Sequence, residues 1–300
     1  MIDRAKNQTS TTTGHAFKSV PGIFSYQSTS KMTSLFEHYT RVAASWPTFR
    51  SLEVFNDPNV KTLYFIRHAE GDHNAAEREY GTEVWDESIS KLDKYLDAAL
   101  NRDGMADAQK RSICMKTELD AGMPIDRILV SPLTRTIQTA DIYFNLSSTE
   151  LFPVDAIESA RETLGVHTCD KRRPTSLLAR DFMFVNWSRI SSEQDVLWRA
   201  DHRETSAEIE ARCRVFLEEV FATVSETFVA VVSHGGFIRA CMNVLEIPSY
   251  KPRNCEVVPV VVQRSPLRDD EDALDLGAFL VALLVVFVSY RFASRKGSAS

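Results

Sequence analysis

Cysteine is scarce in this chain and follows no pattern: five in 300 residues (Cys114, Cys169, Cys213, Cys241, Cys255), an odd number with no C-x-x-C pair. That argues against a disulfide framework and a cysteine zinc site, and makes a reducing compartment the simpler reading. Dense basic runs are missing too, the nearest candidate being Lys171-Arg172-Arg173. With a formal net charge of −6, no nucleic-acid partner is expected, because a phosphate backbone demands a basic stripe. The first twenty residues, MIDRAKNQTSTTTGHAFKSV, lack the apolar core of a secretory signal and read as a polar leader. No internal repeat of useful length occurs, which sets aside solenoids and propellers.

What the chain does have is ordinary globular composition, 44% hydrophobic and 25% charged, enough for a sizeable core. From Lys61 onward, short apolar runs alternate with stretches of helical length. Strands are expected over 62–66, 125–130 and 228–232, and helices over 89–99, 134–144 and 207–224. In the last of these helices Ile209, Cys213, Phe216 and Val220 recur on one face, the stripe that covers a sheet. The run EVVPVVVQ over 256–263 has strand composition, with Pro259 placing it at an edge or a bulge. The fold class is α/β: three layers, a mostly parallel sheet flanked by helices, with a hydrophobic helix at the C-terminus. The organisation read from composition is an N-terminal extension over 1–57, partly disordered; a folded α/β domain over 58–265; an acidic linker over 266–275; and a transmembrane tail anchor over 276–292.

That tail is uncharged from Leu276 to Tyr290, 15 residues, and is followed by Arg291, Arg295 and Lys296. A span usually takes about 20 residues and at least roughly 17, a limit approached by adding Leu274 and Phe292 and letting Arg291 snorkel. The expectation is an organelle membrane anchor with the catalytic domain in the cytosol. Removing the residues after Asp272 tests it: an unchanged membrane fraction on carbonate extraction overturns the anchor.

Two strand-length runs each deliver a histidine to their C-terminal ends: LYFI followed by Arg67-His68, and FVAVVS followed by His234-Gly235-Gly236. In a parallel sheet such ends meet in one crevice. Imidazole is a competent nucleophile toward phosphorus, and one ring nitrogen can attack while the other is held by a backbone acceptor. His68 is the candidate nucleophile. Arg67 offers a rigid fork of donors matched to phosphate oxygens. In Ser131-Pro132-Leu133-Thr134-Arg135, Ser131 is expected to cap a helix with Arg135 in its first turn, where the helix terminus and the guanidinium both favour an anion. Gly235 and Gly236 let backbone N–H groups approach closely.

The stretches LYFIRHAEGDHN, ILVSPLTRTIQTA, SARETLGVHTCDKRRP and FVAVVSHGGFIRA, in this order between Leu63 and Ala240, resemble the histidine phosphatases, the superfamily that includes phosphoglycerate mutases. The resemblance implies that His68 becomes phosphorylated, that Arg67, Arg135 and His234 bind the transferring phosphoryl group, that Asn74 adds a contact, and that Glu162 is the proton donor. It departs at Ala69, where the family has Gly after the nucleophile. The reaction implied is hydrolysis of phosphate monoesters through phosphohistidine, without metal or cofactor, on a small phosphorylated substrate or a phosphoprotein. Mutase-type phosphoryl transfer and a catalytically silent, membrane-tethered binding protein are the alternatives. His73 and His167 are candidates for substrate contact, and Lys171, Arg172 and Arg173 for a clamp on a second anionic group or else a solvated loop. A metal cluster of His68, His73, His167 and His234 with Asp72 is the remaining rival reading.

Overall fold

A computed structural model of the protein describes residues 15–28 and 35–266. In chain order the elements are β1 (His15–Ser19), β2 (Phe24–Tyr26), β3 (Tyr39–Arg41), α1 (Trp46–Arg50), β4 (Val60–Arg67), α2 (Asp72–Tyr80), α3 (Thr82–Glu87), α4 (Arg102–Asp120), β5 (Arg127–Val130), α5 (Thr134–Phe144), β6 (Val154–Ala156), α6 (Thr175–Asp181), α7 (Ser206–Thr223), β7 (Phe228–Ser233), α8 (Gly235–Val244) and β8 (Val257–Pro266). Six strands form one sheet in the order β1-β8-β4-β7-β5-β6, and β2 pairs with β3 apart from it.

β4, β7, β5 and β6 run parallel, and β8 adds to β4 antiparallel. Parallel strands covered on both faces read as unbroken apolar runs, and β4 is buried from Val60 to Ile66 and β7 throughout. Lys61 survives in that run because its ammonium leaves the strand end to donate to the Val224 and Glu226 carbonyls. Arg67 pairs with Ser233, so His68 and His234 leave neighbouring strands at the same level of the sheet. α4 packs with α5 and α7 with α8, and the helices flank the sheet. α7 is capped by Thr205, whose hydroxyl accepts from the Glu208 N–H while Glu208 reaches back to the Thr205 N–H, an arrangement worth about 1 kcal/mol. Its predicted stripe of Ile209, Cys213, Phe216 and Val220 is buried.

Several expectations need correction. The stretch 89–99 is not a helix but two short 3-10 turns, Ile89–Lys91 and Asp93–Tyr95, ending at Asp97 in the left-handed region. Its apolar residues Tyr95 and Ala98 serve a small satellite core with Ala76, Trp85 and Cys169, which a strand-like or helix-like count does not separate from one helical stripe. The crossover helix is α4, whose sequence carries only Gly104, Ala108 and Met115 inward and so shows no clear stripe. Cys213 and Cys241 form a disulfide joining α7 to α8, against the expectation of none; a pairing across packed helices leaves no short-range spacing in the sequence. Within the stretch 1–57, β1 pairs along β8, and Phe36, Tyr39, Trp46 and Phe49 are buried in the main core. Pro259 lies opposite Tyr64 within β8, beyond the stretch of β8 that pairs with β1, so β8 is locally an edge where the ring sits. No helix among the described residues is long and apolar enough to cross a membrane, and the tail read over 276–292 lies outside them.

Candidate active site

The ends of β4 and β7 set two imidazoles side by side, with ring centroids of His68 and His234 5.0 Å apart. His68 Nδ1 lies 2.7 Å from the Ala69 carbonyl, an acceptor that only a protonated Nδ1 can satisfy. The lone pair is therefore on Nε2, where Arg135 donates from Nε at 3.3 Å. Burial pushes the His68 imidazole well below its ordinary value, and the Arg135 and Arg67 guanidinium groups push it further. A neutral ring whose lone pair faces a guanidinium has the chemistry of a nucleophile toward an anion.

His234 is fixed differently. Its Nε2 bonds Ser131 Oγ at 2.8 Å, while its buried Nδ1 has no partner among the described residues. Burial likewise holds this imidazole well below the usual range, with Arg135, His68 and His73 adding to the effect. Ser131 thus anchors His234 and is not the cap of α5; that helix starts at Thr134, whose backbone N–H and hydroxyl both bond the buried Asp97 carboxylate. Arg135 does lie in the first turn, 0% exposed, held by the Cys169 carbonyl at 2.6 Å and Asp170 Oδ1 at 2.9 Å. Burial alone would raise the Asp170 carboxyl, but Arg203 and Arg135 outweigh it and hold it below its ordinary value.

A cleft of about 270 Å³ opens over this floor, lined among others by Arg67, His73, Asn74, Glu162, Gly235 and Gly236. His68, 1% exposed, lies behind that lining. Arg67 donates from Nη1 to the Pro252 carbonyl at 2.7 Å and keeps a buried Nε without a partner among the described residues. Asn74 Oδ1 accepts from the Gly71 N–H at 3.1 Å, which fixes the amide and leaves its NH₂ without a partner among the described residues. Glu162 accepts from the N–H groups of Thr163 at 2.9 Å and Gly236 at 3.3 Å. A Cβ at position 236 would stand 2.3 Å from Glu162 Oε1, so glycine is required for this approach. At Gly235 an added Cβ would press on the Arg67 guanidinium, 3.1 Å from Nε. Ala69, in place of the expected glycine, is completely buried: its N–H donates to Thr139 Oγ1 at 3.0 Å and its methyl joins the core, away from the cleft.

Arg67, Asn74, Glu162 and Gly235 therefore line the cleft together with His73 and His167, while His68, Arg135 and His234 are buried beside one another and are not among its lining. The Lys171-Arg172-Arg173 segment does not line it. Arg172 is buried among the carbonyls of Ser192, Glu193 and Gln194 and the Glu158 carboxylate, Arg173 bonds Asp97 and Asp181, and Lys171 lies over the Trp198 ring. Besides Arg67, the cations at the cleft are instead Arg203, Arg239 and Lys251, contributed by loops and α8 outside the motif stretches that drew attention, or at a position within them with no special pattern. Ser131 and Asp170 were also missed as functional; Ser131 sits in SPLTR at a place where a cap is the simpler reading. Among the described residues, donor atoms that could share one ion occur in two groups, His167 with Cys169 and Asp170, and Glu37 with His38 and Glu256. The four-histidine set with Asp72 is neither of them. In the first group both Asp170 oxygens already accept from arginines. In the second, Glu256 is engaged by His38 and Tyr250, and Glu37 by Arg111.

Comparison with known proteins agrees with the geometry. A family model described as the histidine phosphatase superfamily, branch 1, matches residues 63–275. A phosphoglycerate mutase-like protein 1 of Arabidopsis thaliana is 34% identical, the match covering 72% of this chain and 86% of that protein. A probable phosphoglycerate mutase of Arthroderma benhamiae is 31% identical, over 71% of this chain and 67% of its own length. A probable phosphatase of Schizosaccharomyces pombe is 29% identical, over 70% and 89%.

Proposed function

This chain belongs to the histidine phosphatase superfamily, and from that premise we propose that it hydrolyses phosphate monoesters through a phosphohistidine on His68. The observation that carries the reading is the imidazole pair: His68 with Nδ1 tied to a carbonyl and its lone pair on Nε2 met by the Arg135 guanidinium, 5.0 Å ring to ring from His234. As substrate arrives, Arg135 exchanges its bond to His68 Nε2 for one to a phosphoryl oxygen. Nε2 then attacks phosphorus, the bond from phosphorus to the ester oxygen breaks, and Glu162 gives that oxygen a proton. In the second step Glu162 takes a proton from the water that attacks phosphohistidine, and inorganic phosphate leaves. Arg67, Arg135 and His234 stabilise the phosphoryl oxygens, aided by Asn74 and the backbone at Gly235. No step calls on a metal, so EDTA leaves turnover unchanged.

The test is direct. Rapid quench with an aryl phosphate yields acid-labile phosphate on His68, and His68→Ala loses both that adduct and turnover while leaving the fold intact. Wild-type turnover in the variant overturns the proposal, and absence of any adduct in the parent protein supports the catalytically silent reading instead. Mutase chemistry is the second reading, favoured by the names of two of the relatives above. It differs only in the acceptor of the phosphoryl group, a substrate hydroxyl or water. Interconversion of 2- and 3-phosphoglycerate, measured beside phosphate release, separates the two.

A further inference from the structure

His73 is a third imidazole at the site, and no hydrogen-bond partner for it occurs among the described residues. It is the second residue of α2, 8% exposed, lines the cleft, and its ring lies 5.6 Å from that of His68. Its Nδ1 is buried without a hydrogen-bond partner and packs against the backbone at Gly71, where an added Cβ would stand 2.8 Å from that nitrogen. No hydrogen bond to either ring nitrogen comes from the described residues. A buried imidazole left in this state forfeits hydrogen bonds that it makes freely in water, and structures keep few such groups unless a ligand completes them.

We propose that His73 binds the transferring phosphoryl group, donating a hydrogen bond from Nε2 to one of its oxygens. The tautomer follows from the packing: Nδ1 faces backbone and has no acceptor, so its lone pair is the less costly atom to bury there, and the proton goes to Nε2 on the cleft side. Burial and the neighbouring Arg135, His68 and Arg67 hold the ring neutral, and a neutral ring still donates from Nε2. Gly71 fits this role, since a larger residue would displace the ring from its seat. His73 thus meets the anion on the cleft side, in front of the buried His68, while His234 and Arg135 meet it from the floor.

This inference rests on the phosphatase reading for its consequence in turnover but not for its binding test, which uses orthovanadate titrated onto the full chain. His73→Phe keeps a flat ring and removes the donor; His73→Gln returns an amide NH₂ near the Nε2 position. The expected result is a vanadate Kd raised about 10-fold in His73→Phe and restored to within about threefold of the parent in His73→Gln, as for loss and return of one hydrogen bond to a charged group. In hydrolysis of an aryl phosphate, kcat/KM follows the same order. Parent-like vanadate affinity in a folded His73→Phe overturns the proposal, and so does a His73→Gln as weak as His73→Phe, which is what a packing role alone would give. If vanadate affinity behaves as expected but no phosphohistidine forms, the phosphatase reading fails while His73 keeps its role as an anion contact.

Discussion

The floor of the cleft and the segment over 158–205 that covers it are held by opposite means. The floor is two strand ends, β4 and β7, fixed by apolar side chains buried on both faces; each large one contributes roughly 1.5–3 kcal/mol by leaving water. The cover has almost no regular structure and is held by arginines. Arg212 donates to the carbonyls of Ser159, Arg161 and Glu162, and Arg203 to those of Thr163 and Gly165. Arg161, fully buried, pairs with Asp195 and Glu158 and donates to the Asp170 carbonyl. Arg172 collects four further carbonyls. Irregular backbone under a cleft has carbonyls that no ladder satisfies, and a guanidinium with five donors meets several at once. The lesson is that the two histidines sit on the rigid half, whereas placement of Glu162, the proposed proton donor, depends on a polar network.

Substitutions that cut between the two halves sharpen the contrast. The largest effect is expected at Asp170, the cover residue that reaches into the floor. Asp170→Asn leaves Arg135 and Arg203 without their shared carboxylate, and stability is expected to fall by about 3–5 kcal/mol, as for other buried pairs that lose one partner. Denaturant melts check this, and kcat/KM should drop with it by roughly 100-fold because Arg135 loses its aim. A change under 1 kcal/mol would show that the cover does not support the floor.

Ser131→Ala acts on the floor alone. His234 Nε2 loses its 2.8 Å partner, and kcat/KM is expected to fall about tenfold while stability changes by about 1 kcal/mol. An effect on stability as large as that of Asp170→Asn would erase the distinction drawn between the halves.

A third comparison is a pH dependence shared by the three imidazoles at the cleft. His68, His73 and His234 are all held well below the ordinary imidazole value in the fold. The unfolded chain therefore takes up protons near pH 6.5 that the folded chain refuses. Stability from these groups is complete above about pH 6.5 and is lost progressively as pH falls toward the depressed folded values. Thermal melts of the parent from pH 8 to 5 should slope downward on the acid side, less steeply in His73→Phe. An equal slope in that variant places the acid sensitivity elsewhere.

How much of this was legible depended on the kind of residue. His68 and His234 end apolar runs whose composition already implies parallel, doubly covered strands, and Arg135 follows a strand inside a helical pattern, so their meeting could be argued from the residues. Asn74 and Glu162 needed the resemblance, because an isolated amide or carboxylate has no local signature. Ser131 looked like a cap, and only the approach of β7 showed that its hydroxyl serves His234. Arg203, Arg239 and Lys251 carry nothing locally that separates a cleft cation from a solvated one.

By itself the sequence determined the α/β class, the parallel pair that carries the histidines and the phosphorus chemistry they suit, because periodicity and burial are properties of short stretches. Tertiary structure alone decided which hydrogen bond each ring nitrogen makes, which arginines serve the cleft and which hold its cover, and that Cys213 meets Cys241. Those outcomes depend on distances between segments far apart in the chain, and a hydrogen bond changes a group's role within an ångström while leaving its local sequence unaltered.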